Sequence, residues 1–201
     1  MRRLFGFFFI LLAALPGGCL VNNRYPSEGK PIVLQEGVAL VFGRLQVFED
    51  GIDVTRDYCD PWVFNLSSER LLDFLLLDLE RRRVALHIMP ERDGAFYWVL
   101  PRGFYKISLI RYKEEFDPNL AFKIPEENQY VYIGKVVIRA EMQLAFRGSL
   151  RKHHVDIRRD ITSLETKVED DYENDRLALV RRFKDLSGAI GKSLLFTNYQ
   201  K

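Results

Sequence analysis

The sequence predicts a mainly β protein: an antiparallel β-sandwich with a C-terminal helix. Three observations carry that expectation. Between residues 32 and 146 the chain is a succession of short segments rich in Val, Ile, Phe and Tyr, separated by turn residues. Two Asp-Gly pairs, Asp50-Gly51 and Asp93-Gly94, supply the dipeptide that best tolerates the positive φ angles of a tight reversal. Residues 104–112 alternate, with Tyr105, Ile107 and Leu109 on one side and Lys106 and Ser108 on the other, which is the period of a sheet with one buried face.

The elements follow in order. Val38-Ala39-Leu40-Val41-Phe42 and Leu45-Gln46-Val47-Phe48 flank Gly43, which marks a bulge or a close approach of two backbones. Asp50-Gly51 then turns the chain into Ile52-Asp53-Val54-Thr55. Trp62-Val63-Phe64 begins another strand. Residues 71–79, LLDFLLLDL, form an apolar run whose periodicity does not separate strand from helix, and Ser67 or Ser68 could cap a helix there. A strand ending before the charged turn at 80–83 fits better, because a hairpin into residues 84–89 continues the surrounding pattern. Asp93-Gly94 joins that segment to residues 95–100. Residues 122–124 and 130–146 extend the series, the latter long enough to bend or divide near Gly134. Residues 154–161 alternate as a strand before the chain becomes strongly charged. Asn174-Asp175 then opens a helix with an apolar stripe of Leu177, Val180, Phe183 and Leu186; Lys184 suits its last turn and Gly188 stops it.

The segment from Phe96 to Leu109, FYWVLPRGFYKISL, resembles the later strands of transthyretin-like sandwiches, including carboxypeptidase regulatory-like modules. Trp98, Leu100, Pro101, Gly103, Tyr105 and Ile107 fall on the matching positions, and Arg102 stands where those modules often have a second proline. More loosely, Leu40-Val41-Phe42-Gly43-Arg44-Leu45 resembles their opening strand. The resemblance spans residues 36–146 and implies a fold rather than an activity, since such modules serve many functions.

The first residues say where such a domain would work. Arg2 and Arg3 precede an apolar run at 4–15, and Pro16-Gly17-Gly18-Cys19 follows. That order of charge, apolar core and small residues is the grammar of an export signal. As a helix the run reaches roughly 18 Å, too short for a ~30 Å hydrocarbon core. Gly17, Gly18 and Cys19 resemble the lipobox of bacterial lipoprotein precursors, with Pro16 where that family carries an aliphatic residue. The resemblance implies cleavage between Gly18 and Cys19, acylation of the Cys19 thiol with palmitate-type chains, and a periplasm-facing protein held at the outer membrane. Residues 1–18 are then the signal peptide, 19–31 the lipidated cysteine with a polar tether, and 32–201 one domain.

Arg2 and Arg3 account for the whole formal charge of +2. The remaining chain is charge-balanced, which argues against a nucleic-acid footprint. Cys59 is then the only unmodified thiol, so no intramolecular disulfide is expected. Neighbouring strand residues point to opposite faces, so His153-His154 cannot readily aim at one metal, and His87 alternates with apolar neighbours. Glu169-Asp170-Asp171 and Glu173 lack a calcium-loop pattern and suit the start of a helix. Ser67, Ser68 and Ser108 lack a nucleophile elbow. Gly188 to Ser193 has the wrong glycine spacing for a phosphate loop. No catalytic residue, metal or cofactor is expected.

The aromatic residues Phe96, Tyr97, Phe104, Tyr130 and above all Trp98, Tyr105 and Tyr132 are candidates for a ligand-facing surface, set against core filling. The expected role is a non-catalytic interaction or scaffolding module, making contact through exposed aromatics or a sheet edge with an envelope protein or cell-wall partner. Cell-wall glycan or carbohydrate binding is the alternative, with a small envelope hydrolase third.

Overall fold

The computed structural model describes residues 25–56, 73–88, 90–111, 114–149, 154–183, 186 and 188–197. Its strands form two sheets packed face to face, and one helix lies against the outer side of the first. Sheet A is built on β1 (Val38–Glu49) and β8 (Tyr130–Ser149), which run parallel. On its other side β1 pairs with β5 (Ala95–Pro101) and turns back into β2 (Ile52–Asp53). β8 pairs in turn with β10 (Ile190–Lys192) at its start and with β9 (His154–Glu169) beyond residue 134. Sheet B is the antiparallel series β11 (Phe196–Thr197), β7 (Glu114–Ile124), β6 (Gly103–Arg111), β3 (Asp73–Asp78) and β4 (Arg83–His87). Among the described residues, no helix is long and apolar enough to cross a membrane.

The expected antiparallel order thus holds across sheet B, while the middle of sheet A is parallel. The cause is burial on two sides. Ala39 and Val41 belong to the core between the sheets, whereas Leu40 and Phe42 join the cluster under the helix. Tyr130, Val131, Tyr132 and Ile133 are likewise all buried. Runs that are apolar on both faces suit covered parallel strands better than a half-wet meander.

Gly43 combines both readings of its neighbourhood. The β1–β8 register slips between Phe42 and Arg44, so Ile133 and Gly134 oppose Gly43. A Cβ at Gly43 would stand 2.3 Å from the Gly134 carbonyl oxygen and 2.7 Å from Phe96 Cζ. Gly134 does not divide β8; it adopts φ +106° at this irregularity and the strand continues.

Asp50 and Gly51 have φ of 50° and 82° and close a two-residue hairpin with Glu49 opposite Ile52. β3 and β4 form the expected hairpin through the charged turn, with Asp78 opposite Arg83. Asp93-Gly94 behaves differently from expectation. Its flanking strands belong to different sheets, so it makes a crossover rather than a hairpin. The turn itself is tight, with Gly94 N–H donating to the Glu91 carbonyl and Ala95 N–H to Asp93 Oδ1. Arg44 then bonds the Asp93 carbonyl and carboxylate, tying the turn to β1 instead of to β4.

The next crossover, from β5 to β6, carries the Leu100–Tyr105 motif. The buried Tyr105 hydroxyl donates to the Pro101 carbonyl at 2.7 Å, four residues back, which pins the end of sheet A to the start of sheet B. This is the geometry of a tyrosine corner.

The helix α1 (Tyr172–Arg182) buries Asp175 and Leu179 and, just past its end, Phe183. Leu177 and Val180, expected on the buried stripe, are 45% and 49% exposed. The buried line runs at four-residue intervals through Asp175 because that carboxylate reaches an arginine of sheet A, and this rotates the helix away from the purely apolar solution. Acids in its first turn and Arg181 and Arg182 in its last oppose the helix dipole. The polar stretch ahead of β1 is docked here as well. Gly29 N–H caps the Arg182 carbonyl, and Ile32 and Leu34 pack on the cluster beneath the helix.

Candidate functional site

Trp98, Tyr105 and Tyr132 are all fully buried, so none of them faces a ligand. Trp98 stacks on Phe96 with ring centroids 4.0 Å apart, inside the core between the sheets. Tyr132 lies under the helix, where its hydroxyl accepts from Asp171 N–H at 2.8 Å. Phe96, Tyr97 and Tyr130 are buried too, and only Phe104 is part-exposed, stacked on Phe196. The alternation that suggests an outward face is cancelled by the helix, because sheet A is covered on both sides. Gly18, Cys19, Cys59, Ser67, Ser68, His153 and Lys184 lie outside the described residues. His87 closes β4 opposite Leu75, and His154 opens β9 opposite Ser149. Ser108 is buried in β6.

The acidic run organises the start of the helix. Asp170 Oδ1 accepts from Tyr172 N–H, and Asp170 also pairs with Lys192. Asp171 Oδ1 accepts from the Asn174 amide, and Glu169 pairs with Lys167 at 3.0 Å. These cations hold the Glu169 and Asp170 carboxyls below their usual range. Gly191 and Lys192 sit in β10, a strand rather than a loop.

A cleft of about 340 Å³ opens where β1 leaves its irregularity, between the two Asp-Gly turns. Arg44, Gln46, Asp53, Arg56, Asp93 and Lys135 line it. Arg44 anchors this wall, its Nε donating to buried Asp175 at 3.0 Å and its Nη1 to Asp93 Oδ2 at 3.1 Å. Burial works against the Arg44 charge, but Asp175 and Asp93 outweigh it and raise its pKa. Burial likewise pushes the Asp175 carboxyl up, although Arg44 pulls the other way. Asp53 is occupied by Thr55 N–H and the Gln46 amide, each at 2.9 Å. Lys135 stands 3.6 Å from Glu169. The carboxylates in the cleft are thus engaged in holding its walls, which makes it an ion-paired joint between β1, the crossover and the helix.

Among the described residues the longest edge strand is β9, at one side of sheet A. β9 pairs with β8 from His154 to Glu169, with Thr162 left over where the register shifts between Glu141 and Met142, and with no other strand among the described residues. β8 pairs with β1 only as far as Ala140. Beyond that point β8 and β9 run on, among the described residues, as a two-stranded ribbon, from Met142 opposite Ile161 to Ser149 opposite His154. In the proximal half of β9, Leu164 and Val168 pack on the core, while Glu165 and Lys167 face solvent. The sequence carries that alternation in residues 163–168, where the density of charge obscures it.

No family model matches the chain, and no curated protein or solved structure matches it either.

Proposed function

We propose that this chain is a lipid-anchored envelope protein with a transthyretin-like β-sandwich, acting as a non-catalytic contact module through strand addition at β9. One observation carries the reading: β9 presents sixteen residues of backbone paired on one side only among the described residues. An extended partner strand can take up that row of amides and carbonyls, and alternate side chains then supply selectivity. The buried aromatic residues remove the main support for a glycan platform. The tyrosine corner at Leu100–Tyr105 supports the transthyretin-like resemblance, and the Gly-Gly-Cys sequence at 17–19 supports anchoring.

Photo-crosslinking in intact cells tests the contact edge. A photoreactive residue at the exposed Ser163 of β9 is expected to give a defined adduct, while the same probe at Leu177 on the helix gives none. Absence of any adduct from Ser163 overturns the reading. For the anchor, Cys19→Ala is expected to abolish acyl labelling; unchanged labelling overturns lipidation at that thiol.

A further inference from the structure

We infer that the strand added to β9 is β9 of a second copy of this chain, antiparallel and in full overlap. The inference rests on the contact-edge reading above and names its occupant. It is carried by the charge sequence of the edge. When the strand is laid against itself so that position 154 meets 169, Asp156 stands opposite Lys167 and Arg158 opposite Glu165. The two-fold axis repeats both pairs, giving four opposite-charge pairs, with His154 against Glu169 at each end. Between them lie Val155 against Val168 and Ile157 against Thr166. No like charges meet.

Neighbouring registers are excluded by the same strand. β9 carries an extra residue, Thr162, where its register with β8 shifts, and this reverses the alternation between its two halves, so full overlap sets like faces together and a slip of one residue sets opposite faces together. A slip of two residues one way sets Asp156 against Glu169, Arg158 against Lys167 and Asp160 against Glu165, all like-charged. Slipping two the other way sets Asp156 against Glu165. Directly opposed like charges are destabilising, so the full-overlap register is favoured over its neighbours.

The fold gives this pairing a structural purpose. A two-stranded ribbon is marginal in water by itself. In the dimer the distal ribbon of each copy, residues 154–161, lies along the proximal half of its partner's β9, at 162–169. Each β9 thereby gains a second neighbour on both sides of its Thr162 bulge. The two-fold axis stands perpendicular to sheet A, so both α1 helices lie on one side of the joined sheet. The segments docked on them through Gly29 therefore lie on that same side, the arrangement that two anchors in one bilayer require.

The test is sedimentation of the full-length acylated protein in detergent micelles. A protein mass of twice the chain is expected. Arg158→Glu and Glu165→Arg are each expected to raise the dimer dissociation constant about twentyfold, since each inverts two symmetry-related pairs. The double variant R158E/E165R is expected to return it to within about threefold of the original, because the pair is restored with its signs exchanged. Monomers at all concentrations, single variants that leave association unchanged, or a double variant that fails to recover would each overturn the inference. Amide exchange on the unsubstituted protein gives a readout free of folding defects: protection along β9 should rise with protein concentration, and concentration-independent protection overturns self-pairing. The Ser163 crosslink separates self-pairing from pairing with another protein. A self-adduct supports the dimer. An adduct with a different protein overturns self-pairing and leaves the contact edge standing, and no adduct overturns both.

Discussion

Gly43 is the position where a single methyl group should cost the most. Its φ lies outside the left-handed region, so alanine brings no backbone strain, and the whole effect of Gly43→Ala is steric. The new Cβ would meet the Gly134 carbonyl oxygen at 2.3 Å, against an ordinary contact of 3.4 Å or more. Relief on that side needs a movement of about 1 Å between β1 and β8, the two central strands of sheet A. The second obstacle, Phe96 Cζ at 2.7 Å, cannot swing aside freely, because the ring is stacked on buried Trp98. Overpacking a dense core typically costs about 1–3 kcal/mol, and with backbone on one side and a stacked ring on the other the expected loss is about 3 kcal/mol. Gly51→Ala is the control. Its Cβ would meet nothing within 4 Å, yet φ is +82°, so only conformational strain of about 1–2 kcal/mol applies. Urea denaturation followed by tryptophan fluorescence gives both values from midpoints at constant slope. A loss below about 1 kcal/mol for Gly43→Ala, or a larger one for Gly51→Ala, would refute the close-approach argument.

Three further outcomes are expected. Tyr105→Phe removes the hydroxyl that holds Pro101 and should destabilise by about 1–2 kcal/mol in the same assay; an unchanged midpoint would show that the corner contributes no net stability. Asp175→Ala strips the half-buried Arg44 of its most enclosed partner while leaving Asp93, for a loss of about 2 kcal/mol, and a neutral result would mean the joint repacks without it. Asp78 contributes to the acid limb: although burial works the other way, its bonds to Arg81 N–H and guanidinium hold its carboxyl below the usual range. A depressed folded pKa stabilises above the unfolded value, near 4, and is lost as pH falls through the folded one, so melting temperature should drop below about pH 4. Asp78→Asn should flatten that drop, and an acid limb of unchanged steepness would assign it to other carboxylates.

Local chemistry was the most legible part of the chain. Asp50-Gly51, the charged reversal between β3 and β4, and the two possibilities at Gly43 could all be read from a few adjacent residues, because a turn or bulge is settled by the φ angles that its own residues tolerate. Asp93-Gly94 shows the boundary of that logic. The dipeptide specifies a tight turn, and the turn forms, but which sheet receives the next strand depends on Arg44, far away in sequence. The parallel β1–β8 pairing was hidden for a related reason. Its trace was the unbroken apolar run in each strand, which reads equally as a strand with few polar positions until the covering helix is in place.

The candidate surface shows the converse problem. Aromatic alternation around Trp98 and Tyr132 suggests an outer face only if sheet A is covered on one side, and α1 covers the other. The helix could not be oriented by an apolar stripe either, since its deepest contact is a carboxylate meeting an arginine. Leu177 and Val180 therefore point outward while Asp175 points in. The edge that remains is written in charges, which alternation of hydrophobicity does not weigh. Once β9 is known to extend to Glu169, the same charges become informative, because a strand that meets its own copy must be complementary to itself read backwards. Asp156 and Arg158 ahead of the centre, and Glu165 and Lys167 behind it, satisfy that condition. Charge on an edge usually discourages association. Here its order discourages every register tried except one, so the same residues that keep the strand from sticking to arbitrary neighbours define the neighbour it accepts.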